Sequence, residues 1–456
     1  MATDQATWNR LRWRIETCRT FRLALPIIVG MLGQNLLGIA DVAMIGRVGV
    51  TELAACGFVF NISHIPLLAG LGLLAPISIR AAQAYGANKP GEAAECLRHG
   101  MLLALLCGIG MGVSMVLLDD YLHWFRQPAH VMDASHSYLL LFGWSMAGVM
   151  ISHTIKQYCE ALNDPWPPMI ILLVGVALNI LLNWVFIYGN WGSPPLGLEG
   201  AGIATLIARW AMAMASVIYV LGATKLARFR PVQLRNNWSW SRLKDLLTLG
   251  FPICIQHVME VGAFVFGAIM MGWFGATAMA AHQIAITCAT STFIVALSVG
   301  MAVGVRVGHV WGAGLRGRLR HIVGGGMFMG VGVMGLCAIG FLTAGEVIAG
   351  WFSEVPEVTA LAAVLFIAAG IFQISDGTQV VVMFALRGMS DVRIPTFIAI
   401  VSYWLVSLPV GYLIAFTWDK GPIGVWFGYV VGLTCVAVLA SIRFRILSHG
   451  PVRAGA

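Results

Sequence analysis

The run LALPIIVGMLGQNLLGIADVAMIG, from Leu23 to Gly46, is long and apolar enough to cross a bilayer, and its only charged side chain is Asp41. A helical span needs about 20 mostly apolar residues. Hydrocarbon offers a carboxylate no water to bond, so a chain that places one there must supply a partner from elsewhere in the protein. Runs of the same kind recur to the end of the sequence. Of its 456 residues 59% are hydrophobic and 11% charged, whereas soluble domains carry roughly 25% charged residues. Apolar runs bounded by charges, Pro and Gly give twelve spans, beginning near residues 23, 53, 99, 135, 166, 199, 246, 279, 322, 358, 394 and 422. The expected fold class is an all-α polytopic membrane protein.

The net charge of +8 does not point to nucleic acid, because the bases do not cluster on one surface. They alternate between loops instead. With the N-terminus inside, the inside segments hold 24 of the 28 Lys and Arg residues; outside loops hold only Arg47, Arg126 and Lys420, and Arg209 lies within the sixth span. Basic residues accumulate in short cytoplasmic loops, so both termini are expected in the cytoplasm of a multi-pass inner-membrane protein. The Arg-rich start, Arg10 to Arg22, precedes a run too long for a signal-peptide core and is read as a retained leader. The nine cysteines form no CxxC pair, which indicates packing residues rather than a zinc site or disulfide framework.

The one substantial polar interruption, LARFRPVQLRNNWSWSRLKD from Leu226 to Asp245, falls at mid-chain. A gap-free shift of 226 residues places Pro26 on Pro252, Gly49 on Gly275, Thr51 on Thr277, Arg80 on Arg306 and Gly86 on Gly312. Later, ALNDPWPP from Ala161 resembles ALRGMSDVRIP from Ala385. The chain is therefore an internal duplication, with lobes at residues 1–225 and 246–456 joined by a linker at 226–245. Six spans per half give both halves the same orientation, related by an axis along the membrane normal. Secondary transporters place their sites within or between such repeats.

Of twenty acidic residues, seventeen fall at termini, loops or span ends. The remaining three are Asp41 in the first span, Glu260 in the seventh and Asp376 in the tenth. Ionisable groups inside a membrane are costly, and they face a cavity, an ion or a partner. Under the 226-residue shift Glu260 falls on Gln34, Asp376 on Met150 and Asp41 on Gly267, so each half has its own polar site. Gln34 and Asn35 share a span with Asp41, and Asn179 and Asn183, at i and i+4, share one helix face. Amide and carboxylate oxygens suit a hard cation, although Asn also bonds helix to helix in membranes. His257 and His282 read as packing residues more readily than as ligands. Gln256, His257 and Gln283 are further site-lining candidates. Some of the many Met and aromatic residues would suit a pocket for bulky cationic compounds.

These residues resemble a known family. The stretch AAHQIAITCATSTFIVALSVGMAVGVRVGHVWGAG, Ala280 to Gly314, is similar to the eighth span of the multidrug and toxic compound extrusion (MATE) family. GIADVAMIGRVGVTELAACG, Gly38 to Gly57, resembles its first and second spans, Glu160 to Trp210 its fourth to sixth, and Ala385 to Ile414 its tenth and eleventh. The resemblance covers essentially the whole chain. It implies two six-helix lobes around a V-shaped cleft, alternating access, and export of organic cations against Na+ or H+. Carboxylates in the seventh and tenth spans, Glu260 and Asp376, resemble the cation site of the NorM-like branch. Asp41, Asn179, Asn183 and Thr205 fall where family members carry a first-lobe cation or proton site. Phe372, one turn before Asp376, departs from the Tyr of several relatives.

The expected function is thus a cation-coupled multidrug antiporter, not an enzyme. Na+ or H+ would be the coupling ion at Asp41, Glu260, Asp376, Asn179, Asn183 and Thr205, with Na+ at Glu260 and Asp376 or at Asp41, Asn179 and Asn183. No cofactor is expected. The partners are lipophilic or cationic drugs and the bilayer, and the protein is expected to act as a monomer. Three rivals are a flippase for lipid-linked precursors, an integral membrane enzyme and a channel. A flippase needs a cationic cavity, and Arg209 is the only Lys or Arg read as well inside a span. An enzyme would be signalled by HExxH, GxSxG or a closely spaced carboxylate pair, and none is present.

Overall fold

A computed structural model describes residues 2–230 and 238–449, with side chains from Arg12 onward; the middle of the linker and the chain end lie outside the described residues. Among these residues every regular element is helical, and twelve helices are long and apolar enough to span a membrane. They are α1 Arg12–Ile45, α2 Val50–Gly86, α3 Pro90–Asp119, α4 Ala129–Ala161, α5 Trp166–Tyr188, α6 Gly197–Gly222, α7 Trp240–Gly272, α8 Ala276–Gly312, α9 Arg316–Gly350, α10 Pro356–Gly388, α11 Arg393–Thr417 and α12 Pro422–His449. In seven of them the start lies within three residues of the apolar run. The others begin earlier, α3, α4, α7 and α9 by six to nine residues, while α1 is already helical from Ala2. These early turns carry the Arg, Lys and Glu side chains that hydropathy assigns to loops. A helix bonds its own backbone whatever its side chains are, so it continues past the apolar run into water.

By contacts the chain forms two compact units, Val29–Cys254 and Met1–Ile28 together with Ile255–Ala456. Both α1 and α7 therefore begin in one unit and end in the other. The two crossover points, after Ile28 and after Cys254, are themselves 226 residues apart, the offset of the repeat. Pro26 and Pro252 lie two residues before them, inside the helices. Proline lacks the N–H for the i→i−4 bond and kinks a helix.

Within each unit the same arrangement recurs. In Val29–Cys254, α4 packs against α3 and α6; in the other unit α10 packs against α8, α9 and α12. Without a hydrophobic force between helices in lipid, close approach through small residues supplies the attraction. At the α8–α10 crossing a Cβ on Gly388 would stand 2.4 Å from the Gly304 carbonyl oxygen.

The polar beginnings of α1 and α7 are tied down in equivalent ways. In Val29–Cys254, Arg80 of α2 donates to both carboxylate oxygens of Asp245 of α7, Nε to Oδ2 at 2.7 Å and Nη2 to Oδ1 at 2.5 Å. In the other unit Arg306 of α8, the residue that the repeat places on Arg80, donates to Glu16 of α1, with Arg318 Nη1 3.8 Å from the same carboxylate. Beside these pairs Trp238 lies 5.4 Å from the Arg98 guanidinium, and Trp13 packs edge-on against Phe328 at 5.4 Å.

The two pairs differ in burial, and so they should differ in energy. Glu16 and Arg306 are 6% and 14% exposed, whereas Asp245 and Arg80 are 42% and 35% exposed. Arg306→Met leaves a buried carboxylate and is expected to cost about 3 kcal/mol. Arg80→Met is expected to cost about 1 kcal/mol or less. Thermal melts of the two variants in detergent check this, and equal losses of Tm would contradict it.

Candidate functional site

Each unit builds a polar cluster on the carboxylates that the sequence places inside its spans, and the two clusters are not copies. In the first lobe α1 supplies Asp41, α5 supplies Asn179 and Asn183, and α6 supplies Thr205. Asn183 Nδ2 donates to Asp41 Oδ1 at 2.6 Å and to Asn179 Oδ1 at 3.1 Å. Asn179 Nδ2 donates to Thr205 Oγ1 at 3.4 Å. The i,i+4 spacing stacks both amides on one face of α5, as the sequence implies. The two amides and the hydroxyl-bearing Thr205 are at most 1% exposed, and Asn183 Oδ1 has no hydrogen-bond partner among the described residues.

Arg209 stands one turn beyond Thr205 on α6. Its Nη1 donates to Ser145 Oγ at 2.8 Å, and its guanidinium lies 4.5 Å from the Phe142 ring centre. Gln34, expected beside Asp41, is instead exposed and bonds none of these groups among the described residues. It sits two turns from Asp41 on the same helix, too far for its short amide to reach.

In the second lobe α7 supplies Glu260, α10 supplies Asp376 and Gln379, and α11 supplies Tyr403. Gln379 Nε2 donates to Glu260 Oε1 and to Asp376 Oδ1, each at 3.3 Å. Tyr403 Oη donates to Glu260 Oε1 at 3.0 Å and lies 3.2 Å from Gln379 Oε1. Two carboxylates from different helices thus share one amide. Like charges held so close cost energy unless a proton or a cation offsets one of them.

The local sequence of α11 explains how Tyr403 gets there. Wide i→i+5 turns run over Val401–Ser407, just before Pro409, where a missing N–H disrupts the α-helical ladder. Such π-turns rotate side chains off the ordinary register and occur often at functional sites. Its counterpart in the first repeat, α5, is regular. Trp404 Nε1 donates to the Met259 carbonyl at 2.9 Å, which holds α11 against α7 beside Glu260.

Arg387 is only 6% exposed, although the sequence places it in a loop. Its Nη2 lies 3.1 Å from Gln256 Oε1 and 3.2 Å from His257 Nε2. These residues are a turn before Glu260 on α7, so Gln256 and His257 line the cluster by holding a cation. Arg209 is therefore not the only arginine enclosed within a spanning helix. Phe372 is buried and stacks on Trp426 at 5.6 Å, with the His282 ring edge-on to the same indole, so it belongs to an aromatic core beneath the carboxylates. Gln283 is exposed, its Nε2 3.5 Å from Thr287 Oγ1, and lies outside the cluster.

The residues missed by sequence reasoning are thus Gln379, Tyr403 and Arg387. Gln379 was within reach of it, since i+3 from Asp376 puts both on one helix face. Tyr403 depends on a π-turn and was not. Among the described residues no three His, Cys, Asp or Glu side chains come together as a metal cluster. The second-lobe donors, two carboxylates with an amide and a phenol oxygen, are all oxygens and fit a proton or a hard monovalent cation as cargo.

The duplicated set of helices is also what known proteins share with this chain. The sequence profile of the MatE family matches residues 26–185 and 252–413, two stretches whose starts are again 226 residues apart. The multidrug resistance protein NorM of Aliivibrio fischeri is 33% identical over 97% of each chain. The multidrug resistance protein MdtK of Yersinia pestis is 30% identical over 96% of this chain and 97% of its own. Among solved structures, MATE in the bent conformation superposes with a TM-score of 0.87 at 19% identity over 96% of this chain and 97% of its own. The eukaryotic MATE transporter AtDTX14 gives 0.85 at 19% identity, over 95% and 96%. With both halves matched in order and the relatives aligned end to end, the chain belongs to the MatE family.

Proposed function

We propose that this protein is a multidrug efflux antiporter of the membrane, exporting lipophilic organic cations in exchange for inward Na+ or H+ and keeping both termini in the cytoplasm. The observation that carries this reading is the pair Glu260 and Asp376 sharing Gln379 Nε2 inside apolar helices. A negative centre of that kind takes up a cation in one conformation and gives it up in another when its affinity differs between the two. Competition of drug and ion for the same negative charge supplies the difference. The family membership and the relatives named for multidrug resistance support export of drugs over enzymatic turnover. A phosphate-binding flippase is disfavoured because Arg209 and Arg387 are each turned onto neutral partners and an aromatic ring of their own lobe.

Ethidium efflux from proteoliposomes, with a Na+ gradient and a pH gradient imposed separately, tests the exchange. One of the two inward gradients is expected to accelerate efflux about tenfold or more, and rates indifferent to both would refute it. Asp41→Asn, Glu260→Gln and Asp376→Asn are each expected to slow driven efflux about tenfold while expression stays normal; wild-type rates in all three would overturn the site assignment. Tyr403→Phe removes one hydrogen bond to a charged group, worth about 1.5 kcal/mol or more. Because that bond favours the free carboxylate, its loss is expected to lower the cation concentration for half-maximal efflux about tenfold, and an unchanged value would remove Tyr403 from the site.

A further inference from the structure

The described ends of the linker are both strapped to the unit Val29–Cys254. Leading out of α6, Lys225 Nζ donates to Asp164 Oδ1 at 2.6 Å beside Tyr219 Oη on the other oxygen at 2.5 Å, and Tyr158 Oη donates to the Phe229 carbonyl. Leading into α7, the Ser239 N–H donates to His99 Nε2 at 3.1 Å. Trp238 packs there edge-on to His99 and against the Arg98 guanidinium, 5.4 Å from each, and Asp245 takes both arms of Arg80. All of these partners belong to that one unit, so the described linker residues are fixed against one end of it.

At this end the carboxylates are occupied. Asp164 and Asp245 hold Lys225 and Arg80, Glu95 holds Arg98, Glu92 holds Lys89 at 3.1 Å, and Glu160 lies 3.9 Å from Lys156. Arg228, Arg242 and Lys244 are left, exposed and in no ion pair among the described residues. The bias of basic residues toward cytoplasmic loops sets which side a loop takes. It does not require the folded protein to leave such charges unpaired.

These cations stand at the ends of two spans. Arg228 follows Gly222, the last residue of α6, by six residues, and Arg242 and Lys244 directly precede the apolar run that begins at Leu246. Trp240, 72% exposed, is four residues before Lys244 and shares its helix face, and Trp238 is 51% exposed. An indole with an ammonium group beside a span end suits the headgroup layer, where Trp is enriched. A soluble anion would use the cations but not the indoles.

We propose that this end of the first lobe is a docking surface for anionic phospholipids, whose phosphates take Arg228, Arg242 and Lys244 while Trp238 and Trp240 lie at headgroup level. The inference goes beyond the antiport reading and does not depend on it.

Titration of the full-length protein in neutral detergent with short-chain phosphatidylglycerol, and separately with phosphatidylcholine, tests this by tryptophan fluorescence and thermal melts. Neither readout is transport, so both decide on the surface whether or not a gradient drives efflux. A cation next to a span favours anionic lipid about fivefold, so three are expected to make phosphatidylglycerol bind about a hundredfold more tightly than phosphatidylcholine. It is also expected to raise Tm by about 5 °C, and NaCl at about 1 M to abolish the preference. The triple variant Arg228→Gln, Arg242→Gln, Lys244→Gln is expected to lose the preference and the gain in Tm while melting like the wild type in phosphatidylcholine. Arg228→Lys with Arg242→Lys, which keeps the charge, is expected to retain both. Equal binding of the two lipids by the wild type, a preference that survives in the triple variant, or a Tm gain that inorganic phosphate reproduces overturns the proposal. So does a triple variant that melts lower in phosphatidylcholine, since the three cations would then serve the fold.

Discussion

A charge in hydrocarbon must be answered from within the protein, and that constraint organises this molecule. It explains why the carboxylates of the spans are never found alone. Asp41 accepts from Asn183, and Glu260 and Asp376 accept from Gln379. Even the charges at the helix beginnings are paired where they are buried, as Glu16 is with Arg306. Exposed ion pairs contribute little to stability. Half-exposed Arg80 and Asp245 therefore fix where α7 begins more than how stable the unit is.

Duplication then sets what is shared and what is not. The scaffold is shared: the position of the crossover in α1 and α7, the prolines just before it, the arginines that hold the helix beginnings, and the interior helices α4 and α10. The clusters are private to each half. Where the first lobe has Asp41, the second has Gly267, and a Cβ there would stand 1.7 Å from the Tyr429 hydroxyl. No carboxylate fits at that place in the second lobe. Where the second lobe has Asp376, the first has Met150, fully buried. The two halves therefore could not exchange sites by a single substitution each.

Much of this was legible in the sequence for a physical reason. Apolar run length reports a span directly because the bilayer thickness is fixed, and the repeat follows from identities at one constant offset. The carboxylates stood out because charge is rare in such runs. What was not legible depends on where side chains go once helices bend or overrun. Arg387 looks like a loop cation because α10 continues through it, and burial at 6% is set by packing that no local pattern encodes. Tyr403 enters the second cluster only through the wide turns before Pro409. Gln34 and Gln283 are exposed polar residues of the spans that bond to neither cluster among the described residues.

On the antiport reading, the pair of carboxylates in the second lobe is what lets a cation bias one state over another. Glu260 and Asp376 share one amide donor, Gln379 Nε2, so taking up or releasing a cation there changes the cost of burying the pair by the full charge of the ion. The duplication supplies matched prolines, Pro26 and Pro252, two residues before the points where the chain passes from one unit to the other, while the carboxylate pair belongs to the second half alone.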